Sequence, residues 1–368
     1  MTFWNTCQQD DERTGPTLEL KVGQLLMIGF RGFELADSSH IIRDISEYNL
    51  GGVILFDYDV PTSRNIRNIE SKNQVRLLNE SLQEVAASPL FIAVDQEGGR
   101  VARLKPSRGF PETLSAEFLG SIDSEDTTRT YAEEQTELLS NLGFNVNFAP
   151  VVDLNTNPDN PVIGSIERSY GKDPALVTKH ASIVIEEHQK QDILPVIKHF
   201  PGHGSAWNDS HVGMADVTNT WVDTELIPYK NLAQTEYHFG VMTAHVLNRN
   251  LDEELPATLS RPIQTGLLRS TIGFDGLLFS DDMQMEAIRS FYGLEFAIEK
   301  ALNAGVDILV FGNNSIYQPN IVPQAVNIIL KLIEDGSVTE QTINESYERV
   351  IKTKKRLGLI NEIELSVD

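Results

Sequence analysis

A single cysteine, Cys7, in 368 residues leaves no internal disulfide framework to consider and fits a reducing compartment. No apolar run approaches the ~20 residues that a bilayer-spanning helix needs. Basic residues are scarce: 30 Lys and Arg face 53 Asp and Glu, for a net charge of -23. A surface of that sign repels nucleic-acid backbones and anionic membranes over most of its extent, so neither is expected as a partner. The opening "MTFWNTCQQDDERTGPTLEL" lacks the basic stretch and apolar run of a secretory signal, which makes the cytoplasm the expected location. Low-complexity tracts, Ser/Gly linkers and short-period repeats are missing too.

What is present is a monotonous alternation. Hydrophobic residues make up 40% of the chain and charged residues 23%, the balance of a soluble globular protein. Eight short apolar segments read as strands: "QLLMIGF", "GGVILF", "LFIAVD", "FNVNFAP", "LPVIKHF", "GVMTAHV", "GLLFSDD" and "VDILVFG". Longer amphipathic segments separate them, among them "SRNIRNIESKNQVRLLNESLQEVAAS", "DTTRTYAEEQTELLSNLG" and "DPALVTKHASIVIEEHQKQ". Strands that are apolar on both faces imply a parallel sheet with helical crossovers, and eight such units close most economically into a (β/α)8 TIM barrel. The structural alternative is a doubly wound open sheet. Residues 1–17 are expected to form a loose arm and residues 18–368 one catalytic barrel, ending in two closing helices split at Asp335-Gly336. A monomer is the expected state.

In such a barrel chemistry belongs at the carboxyl ends of the strands. Asp95 ends the third strand, followed by the Gly98-Gly99 turn and by Arg100 and Arg103; a carboxylate and a guanidinium suit sugar hydroxyls, or pair structurally. The fourth strand runs into a long Asn/Pro/Gly-rich loop holding Asp153 and Arg168, and a loop of that length is more often functional than idle. His245 ends the sixth strand. Asp281 and Asp282 end the seventh, where neighbouring side chains point to opposite faces, so that one can enter the site while the other braces a loop or caps the following helix. Chance would not gather Asp95, Arg168, Lys198, His199, His245 and Asp281 at one end of the strands.

The fifth strand ends in "KHFPGHGSAWNDSH", Lys198 to His211. Its HxxxH spacing suggests a metal site, but that geometry needs a helix, which Pro201, Gly202 and Gly204 forbid. His199, His203, Asp209 and His211 could still converge from a loop. Asp209 and His211 are one residue apart, so the carboxylate can fix the tautomer of the imidazole and support its charge, making a proton donor and acceptor that works near neutral pH.

These segments resemble the signatures of glycoside hydrolase family 3, in its β-N-acetylglucosaminidase branch. "VDQEGGRVARL", "KHFPGHGSAWNDSH" and "FSDDMQM" carry the resemblance, in this order, and it extends from about residue 20 to the end. It implies a retaining β-N-acetylhexosaminidase with no metal or other cofactor, acting on a small carbohydrate from cell-wall (muropeptide) or chitin-derived fragments. Asp281 would be the nucleophile, His211 the general acid/base and Asp209 its dyad partner. Asp95, Arg103, Arg168, Lys198 and His199 would hold the N-acetylglucosamine ring, and His245 joins them at the same face. An imidazole in place of the second carboxylate of most glycosidases repels phosphate less, which leaves phosphorolysis as an alternative to hydrolysis. Extra residues in "PVIGSIERSYG" ahead of Arg168, and "VGMADV" after the dyad, depart from the family's commonest pattern. The competing functions are a metal-dependent hydrolase on the same barrel and a silent sugar-binding protein, which would have no use for both a nucleophile and a proton shuttle.

Overall fold

The computed structural model describes residues 15–36, 39–65, 67–210 and 212–360. Cys7 and most of the expected N-terminal arm lie outside them, as does His211. Each of the eight apolar segments contains one strand of a single parallel sheet: β1 (Leu26–Gly29), β2 (Gly52–Leu55), β3 (Phe91–Val94), β4 (Val146–Asn147), β5 (Leu194–Phe200), β6 (Gly240–Thr243), β7 (Leu278–Phe279) and β8 (Leu309–Phe311). β1 pairs with both β2 and β8, and a parallel bridge between Phe279 and Ile308 joins β7 to β8. The sheet is therefore a barrel and not an open doubly wound layer.

Strand alternation divides the core in two. Met27, Ile54, Phe91, Ala93, Val146, Phe148, Leu194, Val196, Met242, Phe279 and Val310 fill the barrel lumen as one cluster. Ile28, Val53, Leu55, Ile92, Val94, Ile197, Leu278 and Leu309 face outward into a second, larger cluster beneath the helices. Phe148 and Phe279 meet edge to face across the lumen, with ring centroids 5.6 Å apart.

The helices follow their sequence punctuation. Helix Glu125–Asn141 starts on Ser124, whose side chain accepts from the Thr127 amide, and helix Pro174–Lys190 starts on Asp173 with Pro174 in its first turn. The amphipathic segment after β2 becomes helical only at Lys72, capped by Ser71. Before that, Arg67 and Asn68 are fully buried and bond backbone carbonyls, which holds the chain in a loop. Two helices, Ile321–Glu334 and Glu340–Arg356, close the fold on either side of Asp335-Gly336, where Gly336 adopts φ 80°. The last of them plugs the amino end of the barrel: Val350 and Leu357 join the lumen cluster, and the buried Lys354 ammonium lies 4.9 Å from the centre of the Phe91 ring. Among the described residues no helix is long and apolar enough to cross a membrane.

Candidate active site

The alternation that packs the lumen also aims the polar strand tips. Ala93, Val196 and Phe279 face inward, so the residues two positions on, Asp95, Lys198 and Asp281, continue the same inward row past the carboxyl ends of β3, β5 and β7. They line one cavity of about 440 Å³, together with Glu97, Arg103, Arg168, His199, His203 and Asp209.

The floor is a continuous chain of charge. Lys198 Nζ donates to Asp95 Oδ1 at 2.8 Å and lies 2.6 Å from Glu97 Oε1. Arg103 donates to the second Asp95 oxygen at 3.2 Å. Arg168 grips Glu97 with two bonds of 2.7 Å and donates to His199 Nε2 at 3.2 Å. His199 passes the chain on through Nδ1, 2.6 Å from Asp153 Oδ2, so the two contacts assign the proton to Nδ1. Burial by itself would push the Asp95, Glu97 and Asp153 carboxyls up. Lys198 with Arg103, Arg168 with Lys198, and His199 outweigh it at these three sites in turn, and hold each carboxyl below its ordinary range. At the other end of the Glu97 pair, burial opposes the charge of Arg168 and the Glu97 carboxylate more than restores it. The floor is thus an ordered set of acceptors and donors, in which the Asp95, Glu97 and Asp153 carboxyls are ionised throughout the neutral range.

Asp153 also fixes the loop that follows β5. It accepts the His203 amide at 2.7 Å and the His199 amide at 3.2 Å. Asn160 donates to the carbonyls of His203 and Gly204, and Asn157 to that of Ala206. Gly204 packs so tightly on this frame that a Cβ there would sit 1.7 Å from the Leu154 carbonyl oxygen. His203 is buried, meets His199 edge to face with an interplanar angle of 67°, and faces Ser210 Oγ at 3.2 Å; burial first, then His199, pulls its imidazole down to about 4, so it is neutral. Residues 201–206 form turns and not a helix, and among the described residues no three His, Cys, Asp or Glu side chains converge as metal ligands. Asp209 is half-buried in the cavity wall.

The two aspartates of "FSDDM" divide their tasks. Asp281 lines the cavity; its Oδ1 accepts the Asp282 amide at 2.8 Å, and its own amide donates to Thr243 Oγ1 at 3.3 Å. Asp282 Oδ1 accepts the amides of Gly312 and Gln284, both at 3.0 Å, and so ties β7 to the loop after β8. Neither caps the next helix, Glu286–Arg289, whose N-cap is Met285. His245 is not brought to the cavity wall. It lies fully buried, out of phase with the lumen-facing Met242, and its Nε2 donates to the Asp282 carbonyl at 2.9 Å. From there it positions the strand tip that carries Asp281.

Two buried carboxylates near the site were not singled out from the sequence. Glu97 stands two residues after Asp95, a spacing that would have flagged it. Glu225 lies under the loop after β5: a Cβ on Gly202 would be 2.6 Å from its Oε2. Burial pushes the Glu225 carboxyl up to about 8, and Ser205 and the Gly204 and Val222 amides, none in good hydrogen-bond geometry to it, only partly offset that.

Comparison with known proteins points one way. Residues 17–353 match the model of the glycosyl hydrolase family 3 N terminal domain. Over 97% of its length the chain is 32% identical to beta-hexosaminidase A of Pseudoalteromonas piscicida, and over 91% it is 32% identical to beta-hexosaminidase LpqI of Mycobacterium tuberculosis, covering 64% and 82% of those proteins. A family 3 beta-N-acetylglucosaminidase structure from Paenibacillus sp. str. FPU-7 superposes with a TM-score of 0.84 at 35% identity, covering 94% of this chain and 63% of that one. The chain thus spans less than two thirds of the Pseudoalteromonas and Paenibacillus proteins.

Proposed function

This chain belongs to glycosyl hydrolase family 3, and on that premise we propose that it is a retaining β-N-acetylhexosaminidase that removes terminal β-linked N-acetylglucosamine from cell-wall or chitin-derived fragments. The observation that carries the reading is the shared inward row: Asp281 opens into the same cavity as the Asp95–Lys198–Glu97–Arg168 floor. Carboxylates and cations fixed in that pattern suit the ring hydroxyls and amide of a bound hexosamine. Because they are already paired and ordered, binding needs little rearrangement.

In the first step an Asp281 oxygen attacks the anomeric carbon as the bond to the leaving oxygen breaks, and His211, protonated, gives that oxygen its proton. The transition state is oxocarbenium-like. In the second step water attacks the anomeric carbon, His211 takes the water proton, and the Asp281 carboxylate departs. Asp209 supports the imidazolium form of His211, and the buried, neutral His203 shapes the loop.

Proton NMR of an aryl β-N-acetylglucosaminide digest tests the reading. The β-anomer of N-acetylglucosamine should form first, and Asp281→Ala should remove turnover on every substrate. First appearance of the α-anomer, or full activity in Asp281→Ala, would overturn the covalent route. Loss of activity on treatment with a chelator would favour the metal-dependent alternative.

A further inference from the structure

The mechanism above leaves one buried carboxyl near the site unused. Glu225 lies in the turn Asp223–Leu226, is 1% exposed, and packs against the loop whose sequence carries Asp209 and His211. We propose that Glu225 is a positioning residue for the reaction: as an uncharged acid it seats the turn formed by residues 201–206, and through that turn it sets where the Asp209 and His211 dyad stands. The proposal rests on the glycosidase reading above.

The contacts form an unbroken route from Glu225 to the dyad. Two glycines of the turn rest on separate supports: Gly204 on the Leu154 carbonyl, and Gly202, at φ 124°, on Glu225. A Cβ on Gly202 would meet Glu225 Oε2 at 2.6 Å, its Cβ at 2.8 Å and its Cδ at 3.1 Å, so the length of the side chain lies along the turn. Glycine alone combines that φ with so close an approach. Trp221 Nε1 donates to the Pro201 carbonyl at 3.0 Å, which ties the segment entering the Glu225 turn to the start of the same loop. From the turn, His203 Nε2 reaches Ser210 Oγ at 3.2 Å, and Ser210 is the residue between Asp209 and His211. A shift at Gly202 therefore passes to the dyad both along the chain and across this contact.

The surroundings suit an acid that keeps its proton. No Lys, Arg or His side chain donates to Glu225 among the described residues. The titratable groups around it are the ionised Asp153, the neutral His203 in the turn itself, and Tyr229 in the helix Ile227–Ala233, whose phenol burial holds well above its ordinary range. None of them brings a positive charge. Ionisation of Glu225 puts a second buried carboxylate into the field of Asp153. That carboxylate gains solvation only by drawing away from Gly202, and the turn then loses its support.

Leaving-group and pH series on the full chain test this, because a residue that acts through the acid/base matters only where a proton must be delivered. Glu225→Ala should lower kcat/KM for chitobiose about a hundredfold, and that for a dinitrophenyl β-N-acetylglucosaminide, whose leaving group needs no proton, by no more than about threefold. Glu225→Gln, an uncharged side chain of the same shape, should recover most of the chitobiose loss. In alkali, log kcat/KM for chitobiose should fall with a slope of about 2 per pH unit in the unaltered protein, as His211 and Glu225 each lose a proton, and of about 1 in Glu225→Gln. In a protein carrying Trp4→Phe and Trp207→Phe, Trp221 is the tryptophan left. Its emission should step near pH 8, and the step should vanish when Glu225→Gln is added. Equal losses on the two substrates in Glu225→Ala, no recovery in Glu225→Gln, equal alkaline slopes, or an emission step that survives Glu225→Gln would each overturn the proposal. If Glu225→Ala does not fold, the slopes and the emission of Glu225→Gln decide the matter alone. Failure of the unaltered chain to cleave the dinitrophenyl glycoside would sink the glycosidase reading itself, and the positioning role with it, whatever the Trp221 emission shows.

Discussion

Lys354→Met should make the protein more stable at neutral pH, and the gain should vanish in alkali. Lys354 is fully buried where the last helix plugs the barrel; its ammonium donates to Gln24 Oε1 at 2.7 Å and has no carboxylate partner among the described residues. Burial drags its pKa down from 10.5 to about 7. In the unfolded chain the group stays protonated up to about pH 10.4. Between those values the unfolded state binds more protons than the folded one, so the contribution of this group to stability rises with pH across that window. A lowering to about 7 corresponds to a penalty of about 4 kcal/mol at pH 7, falling to about 1 kcal/mol at pH 9.5. The substitution also orphans Gln24 Oε1, at a cost of about 1–3 kcal/mol that does not depend on pH. Guanidinium denaturation of both proteins at pH 7, 8.5 and 9.5 reads the difference, in which all other titrations cancel. The advantage of Lys354→Met should shrink by about 3 kcal/mol from the lowest pH to the highest. A difference constant across the three pH values would refute the argument, since a lysine that remains charged when folded has no such dependence.

Three further outcomes are expected. His211→Ala should slow substrates with poor leaving groups far more than aryl glycosides with good ones, and equal losses on a leaving-group series would contradict proton donation. Glu97→Leu should cost about 3–5 kcal/mol of stability by leaving the Arg168 guanidinium buried with its bidentate partner gone, which urea denaturation would show. Glu225→Gln should stabilise the protein in alkali relative to acid. A carboxyl pushed up to about 8 keeps its proton in the folded state where the unfolded chain has lost it, so stability of the unaltered protein falls as pH rises from about 4.5 to 8. Thermal melts of both proteins at pH 5.5 and 8.5 should diverge, and parallel melts would count against a neutral Glu225.

The strands were legible because a parallel barrel buries both faces, so each strand is an apolar run whichever way it points. The inward row at Asp95, Lys198 and Asp281 follows from counting by two from lumen residues. The same count places His245 off that row, behind the tip of β7, a phase that the bare nearness of His245 to a strand end conceals. What the sequence could not convey is pairing at a distance. Glu97 and Arg168 are 71 residues apart and Asp153 and His199 46, and nothing local to either marks the partner. The late start of the helix at Lys72 has the same origin, because Arg67 bonds carbonyls 245 and 246 residues away, and that tertiary demand overrides an amphipathic pattern.

Arg67 has one more consequence. Its guanidinium spans from the loop after β2 to the loop after β8, over the end of the β1 strand that lies between them, like a lintel over a doorway. Descendants of this chain can exchange the side chains at Tyr58 or Val60, both partly exposed at the cavity rim, without disturbing that brace. They cannot lengthen or shorten either loop without lifting the lintel and stranding a charged group inside the protein. Change of diet in such a lineage should proceed by repainting the doorway and not by rebuilding it.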